Sequence, residues 1–190
     1  TGSEIRVHGG TILYGFFGSA ISAIGDVNSD GYADYAIQDP RYTSGGIFEA
    51  GRVMAYSGQT GAILWTYIGT SPRQFLWGNS QMAPAGDLNG DSIPDLLVGA
   101  PGMDPDWFDA VPFPGAILVL SGADGTMIKQ YAYTGANKWE QYGMSLDGNF
   151  DLNVDGIKDA LIGDPLYFDG TYYQRGRVFV LSGSDFSTVL

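Results

Sequence analysis

The fold is decided by a stretch that occurs three times in the sequence. The copies read Gly25-Asp26-Val27-Asn28-Ser29-Asp30-Gly31-Tyr32-Ala33-Asp34-Tyr35-Ala36-Ile37, Gly86-Asp87-Leu88-Asn89-Gly90-Asp91-Ser92-Ile93-Pro94-Asp95-Leu96-Leu97-Val98 and Phe150-Asp151-Leu152-Asn153-Val154-Asp155-Gly156-Ile157-Lys158-Asp159-Ala160-Leu161-Ile162. The first aspartate recurs after 61 and then 64 residues. Ser-Gly pairs ending at Gly58, Gly122 and Gly183 keep the same phase. The chain therefore contains a unit of about 60 residues three times, which is typical of repeat architectures.

The sequence pattern of each unit predicts four short strands, and it lacks the apolar periodicity of an amphipathic helix. The predicted strands cover 19–25, 35–37, 52–57 and 63–68 in the first unit, 79–86, 96–100, 116–121 and 127–133 in the second, and 144–150, 160–163 and 177–182 in the third. The 29 glycines agree with frequent turns between short strands. Four strands per repeat predict an all-β fold built from β-propeller blades.

We expect residues 1–190 to form a single propeller segment. Its repeats span approximately 9–69, 70–134 and 135–190, and residues 4–7 have the phase of a stray outer strand. Propellers close with roughly 4–8 blades. Three blades leave an open fan, unless the chain is a piece of something longer or two copies form a homodimer that completes a six-bladed ring.

The repeated stretches have the form Asp-x-Asn-x-Asp-x-x-x-Asp, which suits a hard cation. Calcium takes 6–8 oxygen ligands, and a turning loop can aim oxygens from positions 1, 3, 5 and 9 at one centre, with the backbone carbonyl of position 7 added. Position 6 is glycine in two loops and Ser92 in the middle one. The predicted ligands are Asp26, Asn28, Asp30, Tyr32 and Asp34, then Asp87, Asn89, Asp91, Ile93 and Asp95, and finally Asp151, Asn153, Asp155, Ile157 and Asp159.

Competing explanations of these loops are weaker. An EF-hand loop needs a glutamate at position 12, and that position is Ile37, Val98 or Ile162 here. The loops contain no His or Cys, which disfavours zinc and copper, and magnesium resists full dehydration. Asp, Asn and Gly also form good turns without any metal. Three loops in register favour about three Ca²⁺ ions, one per repeat.

Charge and composition exclude several functions. The net charge of −12 argues against nucleic-acid binding and against docking on anionic lipid. No apolar run is long enough to span a bilayer, so we expect no membrane insertion. The chain has no Cys and a single histidine, His8, which lies in the terminal segment and is expected to be incidental. With no catalytic motif in view, the sequence predicts a protein that is not an enzyme.

These residues resemble the FG-GAP repeat of the integrin α-subunit propeller and its bacterial relatives. The name of that repeat is matched by Phe17-Gly18, Trp77-Gly78 and Tyr142-Gly143, and by Gly99-Ala100-Pro101. The resemblance implies a propeller with Ca²⁺ in the loop that joins the first two strands of each blade. Integrin propellers have seven blades, so three repeats depart from that pattern.

The connections at the other end of the strands are rich in aromatic residues. Loops on a rigid scaffold are common binding sites, and exposed rings suit a protein or glycan ligand, although such rings also pack between blades. The candidate ligand-binding residues are Tyr42, Trp107, Phe108, Tyr167 and Tyr172. The sequence thus favours a calcium-binding adhesion or ligand-binding module of an exported, extracellular protein. The alternative is a non-catalytic scaffold or carbohydrate-binding domain of a larger secreted enzyme.

Overall fold

The computed structural model describes residues 6–75, 81–101, 115–132, 141–172 and 174–187. Within these ranges the chain forms β-strands and no helix. The strands are β1 (Ile21–Gly25), β2 (Asp34–Asp39), β3 (Arg52–Tyr56), β4 (Ile63–Ile68), β5 (Met82–Gly86), β6 (Asp95–Ala100), β7 (Ala116–Leu120), β8 (Met127–Ala132), β9 (Ser145–Phe150), β10 (Asp159–Asp164) and β11 (Arg177–Leu181).

The strands form three antiparallel sheets in chain order. The first sheet is β1-β2-β3-β4, the second is β5-β6-β7-β8, and the third is β9-β10-β11. Every pairing joins neighbours along the sequence. This arrangement confirms the predicted all-β fold of propeller-type blades. The third repeat's fourth strand, which the repeat phase would begin at residue 188, lies outside the described residues.

The sheets pack face against face, with the second in the middle. We call the side of a sheet that is turned toward the preceding repeat its leading face and the opposite side its trailing face. The trailing face of the first sheet, with Val53 and Trp65, meets the leading face of the second, with Leu96 and Leu118. The trailing face of the second sheet meets the leading face of the third in the same way, and its core includes Ile117, Val119, Ile162 and Leu181.

The central position of the second sheet explains why β6 and β7 do not alternate between buried and exposed residues. All residues of β6 and β7 are buried, because both faces of the second sheet are covered. Their sequences, DLLVGA and AILVL, are nearly continuous apolar runs, as expected of strands without a solvated face. The inner strand β5 lies against β1 on one side and β9 on the other, which brings the three sheets together at one side.

The leading face of the first sheet is covered in part by the N-terminal segment. His8 Nε2 lies 2.6 Å from the hydroxyl of Tyr35, and its ring centroid is 4.3 Å from that of Tyr56. Met54 and Ile37 complete this small cluster. The histidine that the sequence left without a role therefore packs against two tyrosines, whose own rings stack on each other. No helix in the described part of the chain is long and apolar enough to cross a membrane.

Candidate metal loops and the opposite loop end

The three acidic loops, residues 26–34, 87–95 and 151–159, connect the first two strands of each sheet and lie at the same end of the molecule. Position 9 of each loop is the first residue of the second strand: Asp34 begins β2, Asp95 begins β6 and Asp159 begins β10. The strands thus hold one carboxylate of each loop in a fixed place, and the other oxygen side chains lie on the turn before it.

Positions 1, 3 and 5 form one hydrogen-bond network, which is the same in all three loops. In the first loop Asp26 Oδ1 accepts from the amide of Asp30 at 3.0 Å, and Oδ2 accepts from Gly31 at 2.8 Å. Asn28 accepts from the same Asp30 amide through Oδ1 and donates to the Asp30 carboxylate through Nδ2, both at 3.0 Å. The other loops repeat these bonds at 2.8–3.1 Å.

The carboxylate at position 9 connects its loop to the turn that follows the third strand. Asp34 is 1% exposed, and it accepts from the amide of Val27 at 2.9 Å and from Gly58 at 2.8 Å. Asp95 and Asp159 accept the equivalent bonds from Gly122 and Gly183, both at 3.1 Å. A Cβ on any of these glycines would collide with the backbone carbonyl at position 8, which is why the Ser-Gly pairs keep phase with the acidic loops.

Two positions of each loop have left-handed backbone. At position 6, Ser92 has φ of 68°, close to the 86° of Gly31 and the 88° of Gly156. The middle loop therefore follows the same path as the other two, with strain in place of glycine. At position 4 the angles are 59° for Ser29 and 61° for Val154. A β-branched residue rarely adopts this conformation, so Val154 is the most strained position in the three loops.

The donor chemistry of the loops fits a hard cation. Each loop presents three carboxylates and one amide, and an ionised carboxylate has about four lone-pair sites, of which the loop amides use only some. Burial raises the pKa of Asp95, and the neighbouring carboxylates of Asp91 and Asp87 add to that effect. By contrast, the hydrogen bond from the Ile157 amide lowers the pKa of the exposed Asp155. A buried carboxylate that ionises at a penalty beside other anions would gain from a bound cation.

The loops hold their oxygens mainly through backbone amides in this structure. In the part of the chain described, no three His, Cys, Asp or Glu side chains converge closely enough to form a metal cage. The amide nitrogen of Asn28 points at the Asp30 carboxylate, so a donor lies inside the loop. The fifteen predicted ligand residues are thus brought together loop by loop, and their coordination of a metal stays a prediction.

At the opposite end of the strands, two sheets share an Arg–Asp–Tyr arrangement that the sequence analysis missed. Asp39, the last residue of β2, faces Arg52, the first of β3, and accepts from its Nη2 at 3.0 Å. The Arg52 guanidinium carbon lies 3.9 Å from the centroid of the Tyr42 ring. The third sheet has the same set in Asp164, Arg177 and Tyr167, at 3.0 and 3.6 Å. In the second sheet the facing pair is Ala100 and Ala116.

This arrangement bears on the predicted ligand-binding residues. Tyr42 and Tyr167 each have a ring face occupied by an arginine, and both are half-buried. Tyr172 is exposed, with the Arg175 guanidinium carbon 4.7 Å from its ring centroid. Trp107 and Phe108 lie outside the described residues. The recurrence of Asp-Pro-x-Tyr at 39–42 and 164–167 could have revealed the set from the sequence.

Comparison with known proteins gives one family match and several relatives. The profile of the FG-GAP repeat family matches residues 79–120. Integrin alpha-11 of Homo sapiens is 32% identical over 158 residues, which is 78% of this chain and 12% of the relative. Integrin alpha-5 of Xenopus laevis is 39% identical over 102 residues, 48% of this chain and 9% of the relative. Integrin alpha pat-2 of Caenorhabditis briggsae is 30% identical over 175 residues, 86% of this chain and 14% of the relative. The chain thus spans only about a tenth of the length of these relatives.

Proposed function

The chain is an integrin α-like FG-GAP repeat protein, and from this premise we propose that it is a calcium-stabilised adhesion or ligand-binding module of an exported protein. The relatives bear the name of integrin α subunits, and we propose a module that is not an enzyme. The observation that carries the calcium proposal is that the same four hydrogen bonds hold the side chains at positions 1, 3 and 5 in all three acidic loops.

The proposed role of calcium is structural. Each ion would be held by carboxylates at positions 1, 5 and 9, the amide oxygen at position 3 and the carbonyl at position 7. When bound, calcium supplies positive charge among three carboxylates, which repel one another within each loop. Because position 9 bonds to the turn after the third strand, a stabilised loop also stabilises that turn. Extracellular sites of this kind bind calcium with dissociation constants of roughly 10⁻⁴–10⁻³ M, in keeping with an extracellular location.

Calorimetric titration tests the proposal by its stoichiometry. The unaltered chain should bind about three Ca²⁺, and Asp30→Asn, Asp91→Asn and Asp155→Asn should each remove one. The matched control is Asp124→Asn. Asp124 accepts from the Thr126 amide at 2.9 Å, just as Asp30 accepts from Tyr32 at 2.9 Å, but it lies outside the acidic loops. A chain that binds no calcium, and melts at the same temperature in calcium and in chelator, would contradict the proposal.

The ligand of the module would bind at the end opposite the acidic loops. That end carries Tyr172 with its arginine neighbour Arg175, whereas the acidic end repels acidic surfaces. A glycan array and a panel of purified extracellular proteins, probed with the chain in calcium, would identify the ligand class. Tyr172→Ala should then abolish the signal, and Ile63→Ala, at a similarly exposed apolar residue of the acidic end that lies outside the metal loops, should not. Equal loss in both variants would place the ligand elsewhere.

A further inference from the structure

The middle acidic loop differs from its two counterparts in the residue that follows its asparagine. It has Asn89-Gly90, the one Asn-Gly pair of the sequence, where the other loops have Asn28-Ser29 and Asn153-Val154. Asparagine is thermally labile, because the backbone nitrogen of the next residue can attack the carbonyl carbon of its side chain. Glycine has no Cβ to hinder that approach, and it leaves the backbone free to adapt. The Asn-Gly pair is therefore a candidate for a covalent change.

The hydrogen bonds of the loop fold the Asn89 side chain back over the Gly90 peptide. Asn89 Oδ1 accepts from the amide of Asp91, two residues further on, at 2.9 Å, and Nδ2 donates to the Asp91 carboxylate, also at 2.9 Å. The ring that the first bond closes includes the Gly90 nitrogen, which brings Asn89 Cγ to the side of the turn where that nitrogen lies. The bond to Oδ1 also draws electrons from Cγ, as the donors of an oxyanion hole do.

The Gly90 nitrogen is itself bonded to a carboxylate. The Gly90 amide donates to Asp87 Oδ1 at 2.6 Å. In the described part of the chain, the corresponding amides of Ser29 and Val154 make no such bond. A hydrogen bond to an ionised carboxylate is strong, and it leaves more electron density on the nitrogen. Asn89 and Gly90 are both exposed, and no heavy atom lies within 4 Å of the place that a Gly90 Cβ would take, so water reaches the pair.

The other two loops provide a comparison within the same chain. Asn28 and Asn153 accept from the amide of position 5 at 3.0 and 3.1 Å, as Asn89 does. Position 4 has φ of 59° and 61° in these loops and 83° at Gly90. The three loops thus share one backbone path and differ in the side chain at position 4. A serine hinders attack by its own nitrogen more than glycine does, and the β-branched Val154 hinders it most.

We propose that Asn89 is a site of spontaneous deamidation in the folded protein. The Gly90 nitrogen forms a bond to Asn89 Cγ and gives its proton to the solvent. The bond from Cγ to Nδ2 then breaks, and the side-chain nitrogen takes up a proton from the solvent and leaves as ammonia. Water opens the resulting cyclic imide at either of its carbonyl carbons, which yields aspartate or isoaspartate at residue 89. Water is the only co-reactant, and no atom is oxidised or reduced.

The product changes the middle loop and leaves its two counterparts as they are. Aspartate adds a fourth carboxylate to the loop, and isoaspartate also lengthens the main chain by one carbon atom. Either product replaces the Nδ2 donor beside Asp91 by a carboxylate, so that an attraction becomes a repulsion. The reaction needs no metal and no ligand, so it does not depend on the proposed function.

Incubation of the full chain in chelator, followed by proteolysis and mass spectrometry, tests the proposal. The peptide that contains Asn89 should gain about 1 Da, with release of an equal amount of ammonia. The peptides that contain Asn28 and Asn153 should change at least about tenfold more slowly. The gain in mass separates deamidation from isomerisation of an Asp-Gly pair, which leaves the mass unchanged. No conversion at Asn89, or one rate at all three asparagines, would overturn the proposal.

Exchange of the residues at position 4 tests the cause of the difference. Gly90→Ser gives the middle loop the residue of the first loop, and it should slow conversion at Asn89 by about tenfold. Ser29→Gly is the reciprocal variant, and it should speed conversion at Asn28 by about the same factor. Both residues occur at this position of the unaltered chain, and the thermal melt of each variant shows that its fold is intact. Unchanged rates in both variants would contradict the assignment.

Comparison with the unfolded chain shows what the fold contributes. In the same buffer with urea, the Asn-Gly pair is present but the loop's hydrogen bonds are lost. We expect the folded chain to convert Asn89 at least as fast as the unfolded chain does, because the fold holds Cγ and the Gly90 nitrogen on one side of the turn. Slower conversion in the folded chain would show that the loop protects Asn89, and it would overturn the proposal.

Discussion

Arg52 binds Asp39 through two hydrogen bonds to one carboxylate oxygen, from Nε at 3.2 Å and from Nη2 at 3.0 Å. Asp39 is almost fully buried, and its other oxygen has no hydrogen-bond partner among the described residues. The carboxylate therefore depends on this one cation. The second sheet has alanine at both facing positions, Ala100 and Ala116, so the fold forms without the pair.

Removal of Arg52 alone should destabilise the protein more than removal of the pair. Arg52→Ala leaves a buried carboxylate without its partner, and we expect a loss of about 3 kcal/mol. The double variant Asp39→Ala/Arg52→Ala should lose only about 1 kcal/mol, because it reproduces the second sheet. A double-mutant cycle measured by urea unfolding gives the coupling, and the Asp164–Arg177 pair provides a repeat of the test. Losses that simply add would show that the two side chains act independently.

The buried aspartate at position 9 should stabilise the fold even without metal. Asp34→Ala leaves the amides of Val27 and Gly58 without their acceptor, and each unsatisfied buried donor costs about 1–3 kcal/mol. We therefore expect a loss of about 2–4 kcal/mol by chemical unfolding in chelator, where no metal contributes. Asp124→Ala, at an exposed turn of the same end, should lose less than about 1 kcal/mol. Similar losses in the two variants would assign Asp34 to metal binding alone.

The sequence predicts those parts of the molecule that recur with a period. Strand order, the acidic loops and the Ser-Gly turns follow from spacing, because the same local chemistry returns every 61–64 residues. The hydrogen bond from Trp65 to Gly122 does not follow from the spacing, because it joins residues 57 apart through the packing of two sheets. The Asp39–Arg52 pair escaped notice because a connection of varying sequence separates its members. Likewise, Ser92 could be recognised as a departure, but only the backbone shows that it adopts the angle of glycine.

Glycine at position 4 of the third loop should stabilise the protein. Val154 is 85% exposed and has φ of 61°, so its side chain adds strain without packing in return. Val154→Gly should raise the free energy of unfolding by about 1 kcal/mol, since the second loop has Gly90 at this position. Leu152→Gly is the control, because Leu152 lies in the same loop without a positive φ, and it should destabilise. A decrease for Val154→Gly in both calcium and chelator would contradict the strain interpretation.

The loss of stability at alkaline pH should depend on the ionisation of Tyr56. Burial raises the pKa of Tyr56 above its usual 10.0, although the nearby Arg52 opposes the shift. The folded state therefore keeps this phenolic proton to higher pH than the unfolded chain does. The stability that the neutral phenol contributes is fully present below pH 10.0 and is lost as the pH rises through the raised pKa.

In the variant Tyr56→Phe, the free energy of unfolding should therefore decrease less steeply above pH 10.0. Release of one proton changes the free energy of unfolding by at most about 1.4 kcal/mol per pH unit. The variant lacks this phenol, so this contribution to its pH dependence should be absent. Urea unfolding at intervals above pH 10.0, with phenolate absorbance followed in the folded chain, measures both quantities. The hydroxyl of Tyr56 also lies 3.5 Å from the sulfur of Met54, so a small constant loss at neutral pH is expected as well. Parallel stability curves for the two proteins would show that Tyr56 ionises alike in the folded and unfolded states.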